Sequence, residues 1–395
     1  MTNKNKRIYW DTAAATFCRP EILEIMLQYS SSAWANPSAL HQEGRIAKEL
    51  LEKARNKIAG LLEVKNKDII FTSGGTEANN LAVLGMATAW PKDKGKIITT
   101  EIEHKSVLEP ISRLAEAGWQ VVYLPVDKSG RIKIEQLETE LKTETALVSI
   151  ALANNEIGTI QDMAAISRVV VASRRPSSYY PVLHTDACQG ARFLDIRPER
   201  LGVDMVSLNG SKIYGPHGTG LLTIKEGLPL KSVISGGQQE FGLRAGTEDP
   251  VRAFGLALAL EAVWSKRVES ATFLSSLRDQ LWHKLKTQIS DCYLNSDLKN
   301  RLPNNLNISF KEVKSEDLVV GLDALGLAVS AGSACLAGGG RLEDSYVVTA
   351  VAGAERAGSA IRISLGEDTS KEDIDCGAEK IKHQVDLIRK ASTWF

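Results

Sequence analysis

Asp68-Ile69-Ile70-Phe71-Thr72-Ser73-Gly74-Gly75-Thr76-Glu77-Ala78-Asn79-Asn80 is the stretch that decides the fold. Residues 68–72 read as a short buried strand. Gly74 and Gly75 then let the backbone turn tightly and come close to a ligand, and a helix follows. The start of that helix offers free N–H groups and the positive end of a dipole to a phosphate, with the Thr76 hydroxyl as a further donor. Simple capping, with Thr76 as N-cap, is the competing explanation. No Gly-Lys-Ser/Thr run follows, which excludes a Walker A loop, and the spacing is not that of a dinucleotide fingerprint.

The same β-α unit recurs on both sides of this stretch. Residues 43–62 show the period of an amphipathic helix. Strand patterns follow at 96–100, 120–124, 146–151, 182–186 and 204–208, most with helices between them. Such alternation predicts an α/β fold with a mostly parallel, doubly wound sheet. A long helix is expected over 250–264. Beyond it the pattern changes to two strand-like runs, 305–310 and 360–365, among helices. The expected organisation is a large α/β domain over 16–265. A smaller α+β domain combines 1–15 with 266–395.

The 395 residues suit one large domain and a smaller one. Lysine plus arginine and aspartate plus glutamate number 48 each, so the balance of charge gives no reason to expect a nucleic acid or other polyanion as partner. No apolar run reaches membrane-spanning length, and the basic start leads directly into Ile8-Tyr9-Trp10-Asp11 without an apolar signal core. Five scattered cysteines, at 18, 188, 292, 335 and 376, are odd in number and form no C-x-x-C pair. They suggest reduced thiols and a cytoplasmic location.

A lysine stands at another strand end, in Asn209-Gly210-Ser211-Lys212-Ile213-Tyr214-Gly215-Pro216. An amine flanked by glycines suits Schiff-base formation. Asp186 closes the preceding strand, where a carboxylate can keep a pyridinium nitrogen protonated. An acid for a ring nitrogen and a lysine for an aldehyde are the protein's usual share of pyridoxal 5'-phosphate (PLP) chemistry. Besides the Thr76 turn, two more strand ends carry ligand-type residues, and Gln189 joins Asp186 at its own. His104 can stack on a flat ring or move a proton, and Asn155 and Gln189 can donate to a phenolic oxygen. In open α/β sheets, sites form outside the carboxyl ends of the strands, so this convergence points to one site. His184, Asp186 and Cys188 alternate along one strand, but no second His/Cys cluster supports a metal centre there.

Two further residues stand out near the C-terminus. Cys335 lies in Ser330-Ala331-Gly332-Ser333-Ala334-Cys335-Leu336-Ala337-Gly338-Gly339-Gly340, a loop of small residues in which an accessible thiol is a candidate nucleophile. Arg362 interrupts the apolar run Ala360-Ile361-Arg362-Ile363-Ser364-Leu365. A buried arginine needs a partner, either a substrate carboxylate or an acidic group of the protein itself.

Taken together, these motifs resemble the cysteine desulfurases (NifS/IscS-like) of the class V aminotransferase group of fold-type I PLP enzymes. The similarity runs from Trp10-Asp11-Thr12-Ala13-Ala14-Ala15-Thr16 through Asn36-Pro37-Ser38 to Ile361-Arg362-Ile363-Ser364-Leu365-Gly366. The resemblance implies that Lys212 carries PLP, His104 stacks on its ring and Asp186 pairs with the pyridine nitrogen. Asn155 and Gln189 would flank the phenolic oxygen. Gly75 and Thr76 would hold the phosphate, joined by Asn209 and Ser211. The family usually has Ser and His at those last two positions. Thr247, in Gly242-Leu243-Arg244-Ala245-Gly246-Thr247, would reach the phosphate of the other subunit of a homodimer. Arg362 would take the substrate carboxylate, with Asn155 beside it, and Cys335 would receive sulfur as a persulfide.

The activity so implied is conversion of L-cysteine to L-alanine, with sulfur passed to an acceptor protein. That acceptor would be an iron–sulfur cluster assembly scaffold or a tRNA-thiolation carrier. A selenocysteine lyase or another class V aminotransferase-like enzyme is the alternative in which Cys335 is dispensable. A non-catalytic sulfur-carrier scaffold is a third.

Overall fold

The computed structural model describes residues 7–142, 144–176, 178–332 and 344–392. Within these residues the strands of the main sheet are β2 (Ile69–Thr72), β3 (Lys96–Thr100), β4 (Gln120–Leu124), β5 (Leu147–Ser149), β6 (Val182–Asp186), β7 (Met205–Asn209) and β8 (Gly220–Ile224), with β1 (Ile8–Tyr9) lying outside it. The sheet runs in the order β2-β8-β7-β6-β5-β3-β4. Its neighbours pair in parallel except at β8, which is antiparallel to both β2 and β7. The mostly parallel α/β architecture expected from the β-α alternation is therefore present.

Why the strands read as unbroken apolar runs is clear from their surroundings. Ile69 and Phe71 pack into one core with Ile98, Val148, Leu183 and Val206, whereas Ile70 faces the opposite core with Ile97, Leu147, Val182 and Met205. Successive side chains point to opposite faces of a sheet, and both faces here are covered. Helices Gln42–Leu62 and Met163–Ala172 cover the first face, and helices Gly75–Ala89 and Lys105–Glu116 the second.

A second core gathers around β9 (Cys292–Leu294), β10 (Asn305–Phe310), β11 (Leu327–Ala328) and β12 (Ala360–Ser364). Strands β12, β10 and β9 form an antiparallel sheet, and β1 pairs in parallel with β11. Trp10 at the N-terminus is fully buried in this core, beside Ile374, Ile361 and Leu281. Helix Pro250–Gln288 joins the two cores. Ala253 to Val263 pack into the first and Leu274 to Leu285 into the second. The helix was expected to end near 264, with a division at 265–266. It instead runs unbroken through that point, because its apolar face continues after its surroundings change.

Strand β8 is a departure from the sequence pattern. Its apolar run Gly220-Leu221-Leu222-Thr223-Ile224 follows a glycine-rich loop with no helix before it, so the β-α rhythm does not announce it. Its antiparallel direction is the physical consequence, since the chain returns from the Lys212 loop directly into the sheet.

Candidate active site

One cavity of about 170 Å³ opens at the carboxyl ends of the parallel strands. Gly75 and Thr76 reach it from the turn after β2, and His104 from the turn after β3. Asn155 enters after β5, Asp186 and Gln189 after β6, and Asn209 and Lys212 after β7. Arg362 closes the wall from β12 of the second core. Nine residues separated by almost 300 positions of sequence thus line one space. Ser211 and Thr247 stand apart from these. The Ser211 N–H and hydroxyl both donate to Asn209 Oδ1, at 3.1 and 3.0 Å. Thr247 lines a separate cavity of about 210 Å³ with Ser73 and Arg244. Cys335 lies outside the described residues.

The turn after β2 is built for close approach. Gly74 has φ 154° and ψ −179°, a conformation essentially restricted to glycine, and it rather than Thr76 occupies the N-cap position. A Cβ on Gly75 would lie 2.6 Å from Cys188 Sγ. Bare backbone is therefore required at the mouth of helix Gly75–Ala89, where free N–H groups face the cavity. Thr76, in the first turn, keeps its side chain for the cavity wall.

Asp186 is held by two donors. The Cys188 N–H reaches Oδ1 at 2.9 Å and Asn79 Nδ2 reaches Oδ2 at 2.7 Å. Lys212 Nζ donates to the Ala14 carbonyl, and Gln189 Nε2 donates to the Ala13 carbonyl at 2.9 Å. The segment before Thr16 thereby forms a lid of backbone oxygens over the strand ends. Arg362, 1% exposed, donates through Nη2 to Asp11 Oδ1 at 2.7 Å and through Nη1 to the Asn155 carbonyl at 3.3 Å. The internal ion pair expected as one alternative for this arginine is therefore present, and Arg362 also lines the cavity.

The ground beneath the site is strongly desolvated. Glu103, fully enclosed, accepts from the Thr100 hydroxyl at 2.7 Å and from the Ala151 N–H at 3.0 Å. Burial, with the nearby Asp186 charge adding to it, pushes its carboxyl up to about 7. His184 lies between Ser149 Oγ at 2.8 Å and Ser207 Oγ at 2.9 Å, and burial pulls its imidazole down to about 4. Both ring nitrogens are thus committed to strand-bridging contacts. Burial also raises the Cys188 thiol well above its ordinary value. Among the described residues no group of three or more His, Cys, Asp or Glu side chains is placed to hold a metal ion.

Three residues of the site had no role assigned from sequence. Asp11 had been seen only as part of a resemblance. Asn79 and Ser106 both line the cavity. Asn79 lies four residues beyond Gly75, on the same helix face, and that spacing was the available signal. Ser106 sits two residues beyond His104, and its N–H donates to the imidazole, which thereby caps helix Lys105–Glu116.

With this geometry established, comparison with known proteins is decisive. The aminotransferase class-V family model matches residues 8–376. The chain belongs to the class-V aminotransferase family. It is 38% identical over 390 residues to the cysteine desulfurase IscS of Dictyoglomus turgidum, covering 98% of this chain and 97% of that protein. Among solved structures, a NifS-like protein superposes with a TM-score of 0.88 at 34% identity, over 97% of this chain and 100% of the other. SspA in complex with cysteine superposes with a TM-score of 0.77 at 34% identity, over 91% of this chain and 99% of the other. The fold is that of these fold-type I enzymes.

Proposed function

We propose that the chain is a PLP-dependent cysteine desulfurase that converts L-cysteine to L-alanine and passes the sulfur to Cys335. The observation that carries this reading is the meeting of Lys212 and Asp186 in one cavity whose wall contains Arg362. The residues fit PLP. A reactive amine, a carboxylate and a glycine cradle at a helix N-terminus match its aldehyde, ring nitrogen and phosphate in turn. When bound, PLP supplies an electron sink for bonds broken at the substrate.

Lys212 would hold the aldehyde carbon of PLP, and its amine is the group placed to move protons. Asp186 keeps the ring nitrogen protonated, and His104 covers the ring. Asn155 and Gln189 serve the phenolic oxygen. Gly75 and Thr76 receive the phosphate, supported by Asn209 and Ser211. In a homodimer, Thr247 serves the phosphate of the other subunit. Arg362 binds the substrate carboxylate. The Cys335 thiolate attacks the substrate sulfur, forming an S–S bond as the C–S bond breaks. The electron pair stays with the substrate carbon, which takes a proton to become the methyl group of alanine. An acceptor thiol, on an iron–sulfur scaffold or a tRNA-thiolation carrier, then removes the outer sulfur.

The relative named as a cysteine desulfurase and the SspA structure holding cysteine support this choice of substrate. Cys18, Cys188, Cys292 and Cys376 are free thiols, which fits a reducing compartment such as the cytoplasm. Among the described residues no helix is long and apolar enough to cross a membrane.

The test is product analysis with L-cysteine and an excess of reducing thiol. Alanine and sulfide should appear in equal amounts, and Cys335→Ser should stop both while PLP remains bound. Normal turnover by the serine variant would replace this reading with a lyase or aminotransferase in which Cys335 is dispensable.

A further inference from the structure

Asp186 and His104 stand at different strand ends, yet four hydrogen bonds through Asn79 and Ser106 connect them. Asn79 Nδ2 donates to Asp186 Oδ2 at 2.7 Å and also to Ser106 Oγ at 2.8 Å. Ser106 Oγ lies 2.7 Å from His104 Nδ1, and the Ser106 N–H donates to the same nitrogen at 3.0 Å. Asn79 and Ser106 are buried, at 1% and 7% exposure.

The direction of each bond follows from chemistry. An ionised carboxylate only accepts, so Asn79 must turn its amide nitrogen toward Asp186. Both amide hydrogens are then given away, and Asn79 Oδ1 is left buried without a partner. A buried unpaired carbonyl costs free energy, but the flipped amide would set that oxygen against the carboxylate, which costs more. Having accepted from Asn79, the Ser106 hydroxyl has its own hydrogen free for Nδ1. That nitrogen therefore accepts from both the hydroxyl and the N–H of Ser106, so the neutral imidazole carries its proton on Nε2.

We propose that Asn79 and Ser106 are positioning residues that form a relay from Asp186 to His104, fixing the imidazole as its Nε2–H tautomer at the cavity wall. The relay deepens the desulfurase reading and rests on it for the roles of Asp186 and His104. It makes His104 a hydrogen-bond donor through Nε2, and it ties that state to the carboxylate assigned to the ring nitrogen.

The experiment is nitrogen-15 NMR of histidine-labelled protein, with PLP bound and without substrate. His104→Gln identifies the signals of His104 among the six histidines. The wild type should show a protonated Nε2 and an Nδ1 that accepts strong hydrogen bonds. Ser106→Ala and Asn79→Leu should each move the Nδ1 signal toward that of a more weakly bonded acceptor. The double variant should move it no further than Ser106→Ala alone, and Ser106→Thr should keep the wild-type signal. With L-cysteine, kcat should fall roughly two- to tenfold, the worth of one neutral hydrogen bond, to the same level in the single and double variants. A proton on Nδ1 in the wild type, an unmoved signal in Asn79→Leu or additive shifts in the double variant would overturn the relay. If Asn79→Leu does not fold, the contrast between Ser106→Ala and Ser106→Thr decides alone. The NMR signals are read without turnover, so a protein that makes no alanine would refute the desulfurase reading and leave the relay to be judged separately.

Discussion

Arg362 in the cavity wall is joined to Asp11 behind it, Nη2 to Oδ1 at 2.7 Å, with the arginine side chain 2% exposed and the aspartate side chain 17%. The pair explains how a guanidinium sits in an apolar strand before any substrate arrives. Its charge is balanced from the N-terminal segment, Nη1 reaches the Asn155 carbonyl, and the residue lines the cavity. A substrate carboxylate would share this arginine with Asp11.

Replacing Arg362 by alanine should therefore weaken L-cysteine binding by roughly 2–4 kcal/mol, the range for a desolvated charge-assisted pair. PLP content should stay near normal, because the arginine is assigned to the substrate and not to the cofactor. Steady-state kinetics give the answer, and an unchanged KM with an unchanged kcat would remove the role.

Asp186→Asn separates charge from shape. The amide is nearly isosteric and its oxygen can still accept from the Cys188 N–H, so the fold should survive. Activity should fall roughly 10²- to 10³-fold, the usual loss when a preorganised electrostatic partner is removed. Circular dichroism and turnover measured on the same PLP-loaded sample would distinguish the two effects. Full activity would show that another group protonates the ring nitrogen.

Much of this site was legible in the sequence, for a definite reason. The ends of parallel strands converge on one edge of the sheet, so His104, Asn155, Asp186 and Lys212 are neighbours in space although distant along the chain. Asp11 was harder to place. Its contact with Arg362 depends on the first residues pairing with β11 and β12, a non-local event with no periodic signal. Asn79 looks like any polar residue of a helix until the sheet brings Asp186 beneath it. The two residues drawn from family likeness that do not line the cavity are Ser211, whose hydroxyl is given to Asn209, and Thr247, which lines a separate cavity.

His184 predicts a pH dependence of stability. Its folded value of about 4 lies below the ordinary 6.5, so the stabilisation it gives as a neutral group is complete above pH 6.5. That contribution declines as pH falls and is lost through pH 4, a change on the order of 3 kcal/mol. Urea unfolding of the wild type and His184→Gln at several pH values should show the difference between them narrowing or reversing over this window. A constant difference would mean that the histidine titrates alike in the folded and unfolded chain.

Cys335 is tested by mass spectrometry after exposure to L-cysteine without a reductant. One added sulfur should be found on the peptide containing Cys335 and should disappear on treatment with a reducing thiol. Cys188 is buried beneath Gly75 and should stay unmodified. Sulfur found only on Cys18, Cys188, Cys292 or Cys376 would contradict the transfer route.

The central claim is that the Lys212 amine is the point of attachment for PLP in this cavity. Borohydride reduction of the PLP-loaded protein, followed by peptide mapping, reads that claim directly. The account predicts a single pyridoxyl group on Lys212, absent from Lys212→Ala. A label on any other lysine, or its persistence in the alanine variant, would contradict it.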